Sequence, residues 1–399
     1  MTDFTPILRF VAMSDVHYRE EHTVERERMA KALEIINAFP SKEGWPQARV
    51  VDALCVVGDF TTNGSEAQFQ AFRRTLDEGL KTKAIIAMAG HEYMESGPEA
   101  ALERLRRILG QEPDVHEVIQ GFHFISISPC KGTRFDDAKR AWAAEQLAIA
   151  AADDPRRPIF FFQHPHVSGT VYGSIGWGED DLTPILMNYP QIVNFSGHSH
   201  APVNDPRSIH QEYFTSLGCG TLSYFENDEF DKYYGTCPPA PEGSMAAQML
   251  LVEADAAGRV RIVPYDILAD QPFPYVWEIP SAWDPSSFQY TNAKRRAAAL
   301  PPYFPEGAAL HVENNILTFS QAKAPQDYVN DYRVRVRHND VLVRQIALWS
   351  HYYVIPMPET LSLPLDGLIP GEEYDIEITA RGFWENESEN RLTGRFIAN

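Results

Sequence analysis

Four short apolar runs are each followed within a few residues by an aspartate or a histidine, and this pairing most constrains the fold. Residues 7–12 precede Asp15 and His17, residues 53–57 precede Asp59, residues 159–162 precede His164, and residues 191–195 precede His198 and His200. Apolar runs of this length, bounded by polar or turn residues, suit strands covered on both faces. In such a sheet, ligands bind just beyond the carboxyl ends of the strands. Side chains two apart on an extended chain point the same way, so Asp15 with His17, and His198 with His200, are expected to face one site. Mixed imidazole and carboxylate donors suit Zn, Mn, Fe, Ni or Co rather than Ca. Six such groups exceed what one catalytic ion uses, so two ions sharing a carboxylate is the economical reading.

The fragments stand in order: SDVH at 14–17, GDFTTNG at 58–64, AGHE at 89–92, QHPH at 163–166 and GHSH at 197–200. A lone D-x-H occurs by chance in many chains, but five fragments in sequence, each beyond a strand-like run, resemble the calcineurin-like metallophosphoesterases. That resemblance implies an α/β fold of two packed mixed β-sheets flanked by helices. It also implies two divalent transition metal ions, one held by Asp15, His17 and His200 and the other by His164 and His198, with Asp59 bridging. His91 would stand unligated near the scissile phosphate as the acid for the leaving group. The implied reaction is hydrolysis of a phosphodiester or small phosphoester by in-line attack of a hydroxide held between ions ~3.5–4 Å apart. Gly90, Asn63, Tyr18 and His166 are expected beside the substrate, with His22 near enough to rim the pocket. His164 is preferred to His166 as a ligand because it directly follows the apolar run.

One position departs from the family pattern. Its third motif is Gly-Asn-His-Asp/Glu, whose Asn ligates the second ion, and here the stretch reads Ala89-Gly90-His91-Glu92. Three readings follow: water replaces the amide, His166 or Asn63 swings in, or the chain has become a weakened, metal-holding binding protein. Glu92 is expected to orient a neighbour. The Gly-rich, aromatic insert at 168–181 is either a lid over the substrate or a surface loop. No G-x-S-x-G and no P-loop offers a rival chemistry.

Strand and helix signals alternate through the first half, with helical stripes at 26–39, 65–80, 98–110 and 138–152 and further strands at 84–88 and 123–127. Ser65 is a plausible N-cap. After Gly197 the pattern is mostly strand. These features define a first domain at 1–270 and a Pro/aromatic-rich linker at 271–307. A small all-β domain follows at 308–399, where residues 332–337 alternate into a turn at 338–340. There Leu368, Pro370, Gly371, Tyr374, Ile376, Ile378 and Ala380 resemble the fibronectin type III signature, and the expected role is structural or oligomeric.

The net charge of -20 argues against nucleic acid as a bulk ligand, because phosphate backbones need a basic surface. Cys55, Cys130, Cys219 and Cys237 form no C-x-x-C pair, so neither a zinc ribbon nor a disulfide framework is expected. No apolar run reaches the ~20 residues of a membrane span, and no signal-like segment follows Met1. The sequence therefore reads as a cytoplasmic protein without a membrane partner, acting on a small phosphoester.

Overall fold

The computed structural model describes residues 4–19, 24–41, 50–225 and 247–399. His22 and Cys237 lie outside the described residues. The chain divides into two compact units, Met1–Phe225 with Ser244–Thr291, and Glu226–Gly243 with Asn292–Asn399.

The first unit begins β1 (Pro6–Met13), α1 (Val24–Ala38), β2 (Ala53–Val57), α2 (Glu66–Gly79), β3 (Lys83–Ala87) and α3 (Gly97–Arg104). It continues through β4 (Asp114–Ile119), β5 (Phe122–Ile127), α4 (Asp137–Asp153), β6 (Ile159–Phe162), β7 (His166–Val167) and β8 (Gly178–Glu179). Then come β9 (Ile192–Ser196), β10 (Ile209–Gln211), β11 (Thr215–Gly218), β12 (Gln248–Asp255), β13 (Val260–Asp266), β14 (Gln271–Pro272) and β15 (Trp277–Ile279). Seven strands form one mixed sheet in the order β14-β13-β12-β1-β2-β3, with β15 also on β13; six form a second in the order β10-β11-β9-β6-β5-β4. β1, β2 and β3 are parallel, as are β5, β6, β9 and β11. Their carboxyl ends therefore lie side by side.

Alternation along β1 explains how the sheets pack. Phe10 points to the second sheet, where its ring meets Phe124, Phe160, Phe162 and Phe195 at centroid distances of 4.8 to 6.0 Å. Val11 and Met13 point the other way, into a cluster with Met29, Leu33 and Ile36 of α1 and Phe69 and Phe72 of α2. On the far face of the second sheet, Ile125 and Phe161 pack with Ala143 and Leu147 of α4. The result is helices outside two sheets, as expected, with the central strands β1, β2, β5, β6 and β9 buried along nearly their whole length. Burial of a Phe in such a core is worth about 3–5 kcal/mol against truncation to Ala, so the aromatic seam is a major part of what clamps the sheets. Arg9, inside the apolar run of β1, is buried and pairs its Nε with Glu253 at 2.7 Å, while Arg261 meets the same carboxylate at 2.9 Å. Ser65 caps α2, accepting the Gln68 N–H at 3.3 Å.

The stretch expected to be a linker divides between the units. Gln271–Pro272 and Trp277–Ile279 pair with β13, and Trp277 is buried, so 271–291 extends the first sheet. The Pro-rich composition hid these strands because they are two and three residues long. Among the described residues, the second unit is all-β apart from one short helix (Asn292–Ala298) and brief turns. Its strands are β16 (Leu310–Glu313), β17 (Ile316–Ser320), β18 (Asp331–His338), β19 (Val341–Trp349), β20 (Thr360–Pro364), β21 (Glu373–Arg381) and β22 (Leu392–Ile397). They form antiparallel sheets ordered β16-β17-β20 and β19-β18-β21-β22 around one core. Tyr332, Val334 and Val336 face inward while Arg333, Arg335 and Arg337 do not. Asn339 and Asp340, at φ 50° and 65°, make the two-residue turn. Among the described residues no helix is long and apolar enough to cross a membrane.

Candidate metal centre

Five loops leave the carboxyl ends of β1, β2, β3, β6 and β9 at one end of the two sheets, and they interlock by backbone hydrogen bonds. The Asp15 N–H donates to Gly58 O at 3.2 Å, the His17 N–H to Asp59 O at 3.0 Å, and the Gly197 N–H to His164 O at 2.9 Å. Asp15, His17, Asp59, His198 and His200 all have left-handed backbone, with φ of 55°, 53°, 48°, 75° and 52°. Convergence thus arises from kinks, and the expectation of an extended chain at 15–17 and 198–200 is corrected. Left-handed φ costs a non-glycine residue about 1–3 kcal/mol, Asp and His being among the more tolerant types. Gly197 permits the close approach of its loop: a Cβ there would lie 2.0 Å from Ser14 Oγ and 2.4 Å from Asp15 Oδ2.

The side chains converge in three overlapping triads, Asp15-His17-His200, His17-Asp59-His91 and Asp59-His164-His198, the donor atoms of each lying within 4.8 Å of one another. His17 Nε2 and His200 Nε2 are 3.1 Å apart, and Asp15 Oδ1 is 3.2 Å from His200 Nε2. Asp59 Oδ2 stands 3.0 Å from His164 Nε2 and 3.9 Å from His91 Nε2. Asp15 Oδ1 and His164 Nε2 are buried and, apart from these contacts within the cluster, have no hydrogen-bond partner. Orphaned polar atoms of this kind, aimed into one cluster of nitrogen and oxygen donors, fit divalent transition ions.

Outer contacts set the tautomers. His164, His200 and His91 each donate Nδ1–H to a carbonyl, of Val57 at 2.7 Å, Tyr224 at 2.8 Å and Thr62 at 2.6 Å, so each Nε2 faces the cluster. Glu92, fully buried, accepts from the N–H groups of Asp59, Thr61 and Ala89 and from Thr61 Oγ1 at 2.7 to 3.1 Å, tying the second and third loops together. Burial and the Asp59 charge push its carboxyl up to about 8. Burial alone would raise Asp15, but the charges of His200 and His164 hold it well below the usual carboxylate range. His164 is lifted to about 10 against burial by Asp59 and Asp15, whereas burial and His164 push His198 down to about 4.

Three residues expected beside the substrate lie elsewhere. Tyr18 is buried; the kink at His17 turns it under α2, where its hydroxyl donates to Thr75 Oγ1 at 2.8 Å. His166 is buried with both ring nitrogens 2.7 Å from hydroxyls, those of Ser196 and Ser199, and belongs to none of the triads. Asn63 accepts the Ser65 N–H at 3.3 Å and shapes the turn into α2. Neither side chain takes the place of the missing amide. Gly90 opens the turn His91–Tyr93 with φ -57°, next to His91 as expected, and a Cβ there would meet only Gly132, at 3.7 Å or beyond. Two aromatic neighbours went unassigned by sequence reasoning. Trp177, in the 168–181 insert, meets the His198 ring at 5.1 Å, and Tyr224 meets the His200 ring at 4.4 Å. Only the glycine-rich aromatic composition of the insert hinted at the first.

Clustered imidazoles and carboxylates at the strand ends of two packed mixed sheets define a metallophosphoesterase fold. Residues 8–202, within the first unit, match the family described as Calcineurin-like phosphoesterase. Among solved structures, purple acid phosphatase PPD1 from yellow lupin (Lupinus luteus) seeds is 12% identical with a TM-score of 0.48, over 68% of this chain and 53% of that one. The chain thus spans about half the length of that protein. PhoD is 10% identical with a TM-score of 0.39, over 70% of this chain and 69% of that one. No curated protein matches the chain.

Proposed function

We propose that the first unit is a dinuclear metal-dependent phosphohydrolase acting on a phosphodiester or other small phosphoester. The observation that supports this reading is the overlap of the donor triads through His17 and Asp59, with Asp59 a member of two of them. Asp15, His17 and His200 would hold one ion, and His164 with His198 the other, with Asp59 contacting both. Bound divalent ions would supply Lewis acidity and a water of pKa near neutrality. His91, the most exposed of the triad side chains with ion-pair geometry at 31%, presents Nε2 from the solvent side. Its Nδ1–H is pinned by Thr62 O, so as the imidazolium it would hand the second proton, on Nε2, to the departing ester oxygen and return to the Nδ1–H tautomer. Glu92 keeps Asp59 and His91 in mutual register. The net charge of -20 supports a small substrate over nucleic acid. In the second unit, the three-plus-four strand arrangement and the Ile369 N–H donated to Tyr374 Oη at 2.9 Å support a fibronectin type III-like reading.

Gly90 favours a second reading, a metal-holding protein with weakened catalysis. Loading with Mn, metal analysis and steady-state hydrolysis of bis(p-nitrophenyl) phosphate separate the two. Hydrolysis with more than one ion per chain supports the enzyme. Binding without turnover supports the alternative, and less than one ion, with no anomalous peak beside Asp59, overturns both. Because a Cβ at Gly90 would make only ordinary van der Waals contact, Gly90→Asn should raise second-ion affinity and diesterase rate, by up to about 10-fold on the scale of losses seen when metal-site shells are disturbed. Unchanged occupancy and rate would show that the amide is not what the site lacks.

A further inference from the structure

The donor cluster is walled at both ends by aromatic rings. Trp177 meets His198 edge-on with centroids 5.1 Å apart, and Tyr224 lies against His200 at 4.4 Å and His17 at 6.0 Å. Both are only partly buried, so each keeps ring surface that neighbours leave uncovered. Trp177 is held in place. Its insert is anchored by Arg134 on Glu179 and Asp181, each at 2.9 Å, by the Phe135 N–H on Asp181 at 2.9 Å, and by pairing of β7 with β8. Gly173 sits so near the His198 loop that a Cβ there would come within 2.5 Å of Ser199 Cβ. Ile175, two residues before Trp177 on the insert, is 81% exposed, and Met94, three residues after His91, is 61% exposed. Among the described residues, every ion-pair partner of Asp15 and Asp59 is a histidine.

Resting on the hydrolase reading above, we propose that the site is built for phosphodiester anions bearing a flat aromatic substituent, and that Trp177 is the residue that selects it. A ring on the substrate would stack or pack edge-on against Trp177, displacing water from apolar surface, while the single negative charge lies over the donor cluster. An aromatic contact of this kind, with the area it buries, is worth about 10-fold in affinity.

Calorimetric titration of the Mn-loaded full chain with diphenylphosphinate and dimethylphosphinate tests this, since both carry one negative charge and neither has an ester bond to lose. The wild type should bind diphenylphosphinate about 10-fold more tightly or better. Trp177→Ala should lose most of that preference while keeping its metal content and its affinity for dimethylphosphinate, and Trp177→Phe should recover part of it. The kcat/KM ratio between bis(p-nitrophenyl) phosphate and methyl p-nitrophenyl phosphate should fall in parallel. If the wild type shows no preference, or if Trp177→Ala weakens both anions equally, Trp177 merely props His198 and the proposal is overturned. If the loaded wild type binds neither anion, the hydrolase reading itself fails, a result distinct from loss of preference alone.

Discussion

His91→Ala should leave two ions bound yet slow hydrolysis of alkyl esters by roughly 10²–10⁴-fold, the usual contribution of a positioned general acid. Its Nε2 lies 3.9 Å from Asp59 Oδ2, on the open side of the cluster, while the other imidazoles are buried or nearly so. An alkoxide needs its proton in the transition state, whereas p-nitrophenolate departs unaided, so p-nitrophenyl esters should be slowed far less. Metal analysis together with a leaving-group series measures both effects. Loss of metal from His91→Ala would identify His91 as a ligand, in keeping with its presence in a triad with His17 and Asp59. Equal slowing of all esters would make it a phosphate-positioning group instead.

Asp59→Asn should lose metal. The substitution preserves the volume and one oxygen for the His91 N–H, which Asp59 Oδ1 accepts at 3.1 Å, but removes the negative charge 3.0 Å from His164 Nε2. Disturbing an outer-shell partner costs about 10–100-fold in metal affinity, and a carboxylate shared by two ions should cost more. The expected protein holds at most one ion after Mn loading and has lost diesterase activity with it. Retention of two ions in Asp59→Asn, by metal analysis and anomalous scattering, would mean that the bridge is built from other groups.

The buried strands were legible because parallel strands covered on both faces must be apolar along their whole length, and the runs at 53–57 and 159–162 match the observed strands residue for residue. The donors were legible too, since Asp15, His17, Asp59, His164, His198 and His200 are chemically conspicuous beyond such runs, and their types restrict what they can bind. The helices followed from apolar periodicity and from the cap at Ser65. Local composition also distinguished the alternating strands of the second unit from the continuous ones of the first.

What the tertiary structure decided was direction and company. Position just after an apolar run only favoured His164 over His166, whereas the structure aims His164 at Asp59 and satisfies both nitrogens of His166 with serine hydroxyls 30 and 33 residues away. The left-handed kinks that turn Asp15 and His17 inward also send Tyr18 under α2, and such kinks are imposed by the pairing of loops that come from distant segments. Trp177 and Tyr224 reach the cluster only because their segments fold back over the strand ends. Residue type is a local property and is written in the chain, so chemistry and strand pattern could be read from it. Which side chains face one another depends on the packing of two sheets through their aromatic seam, and that emerges only when the whole unit closes.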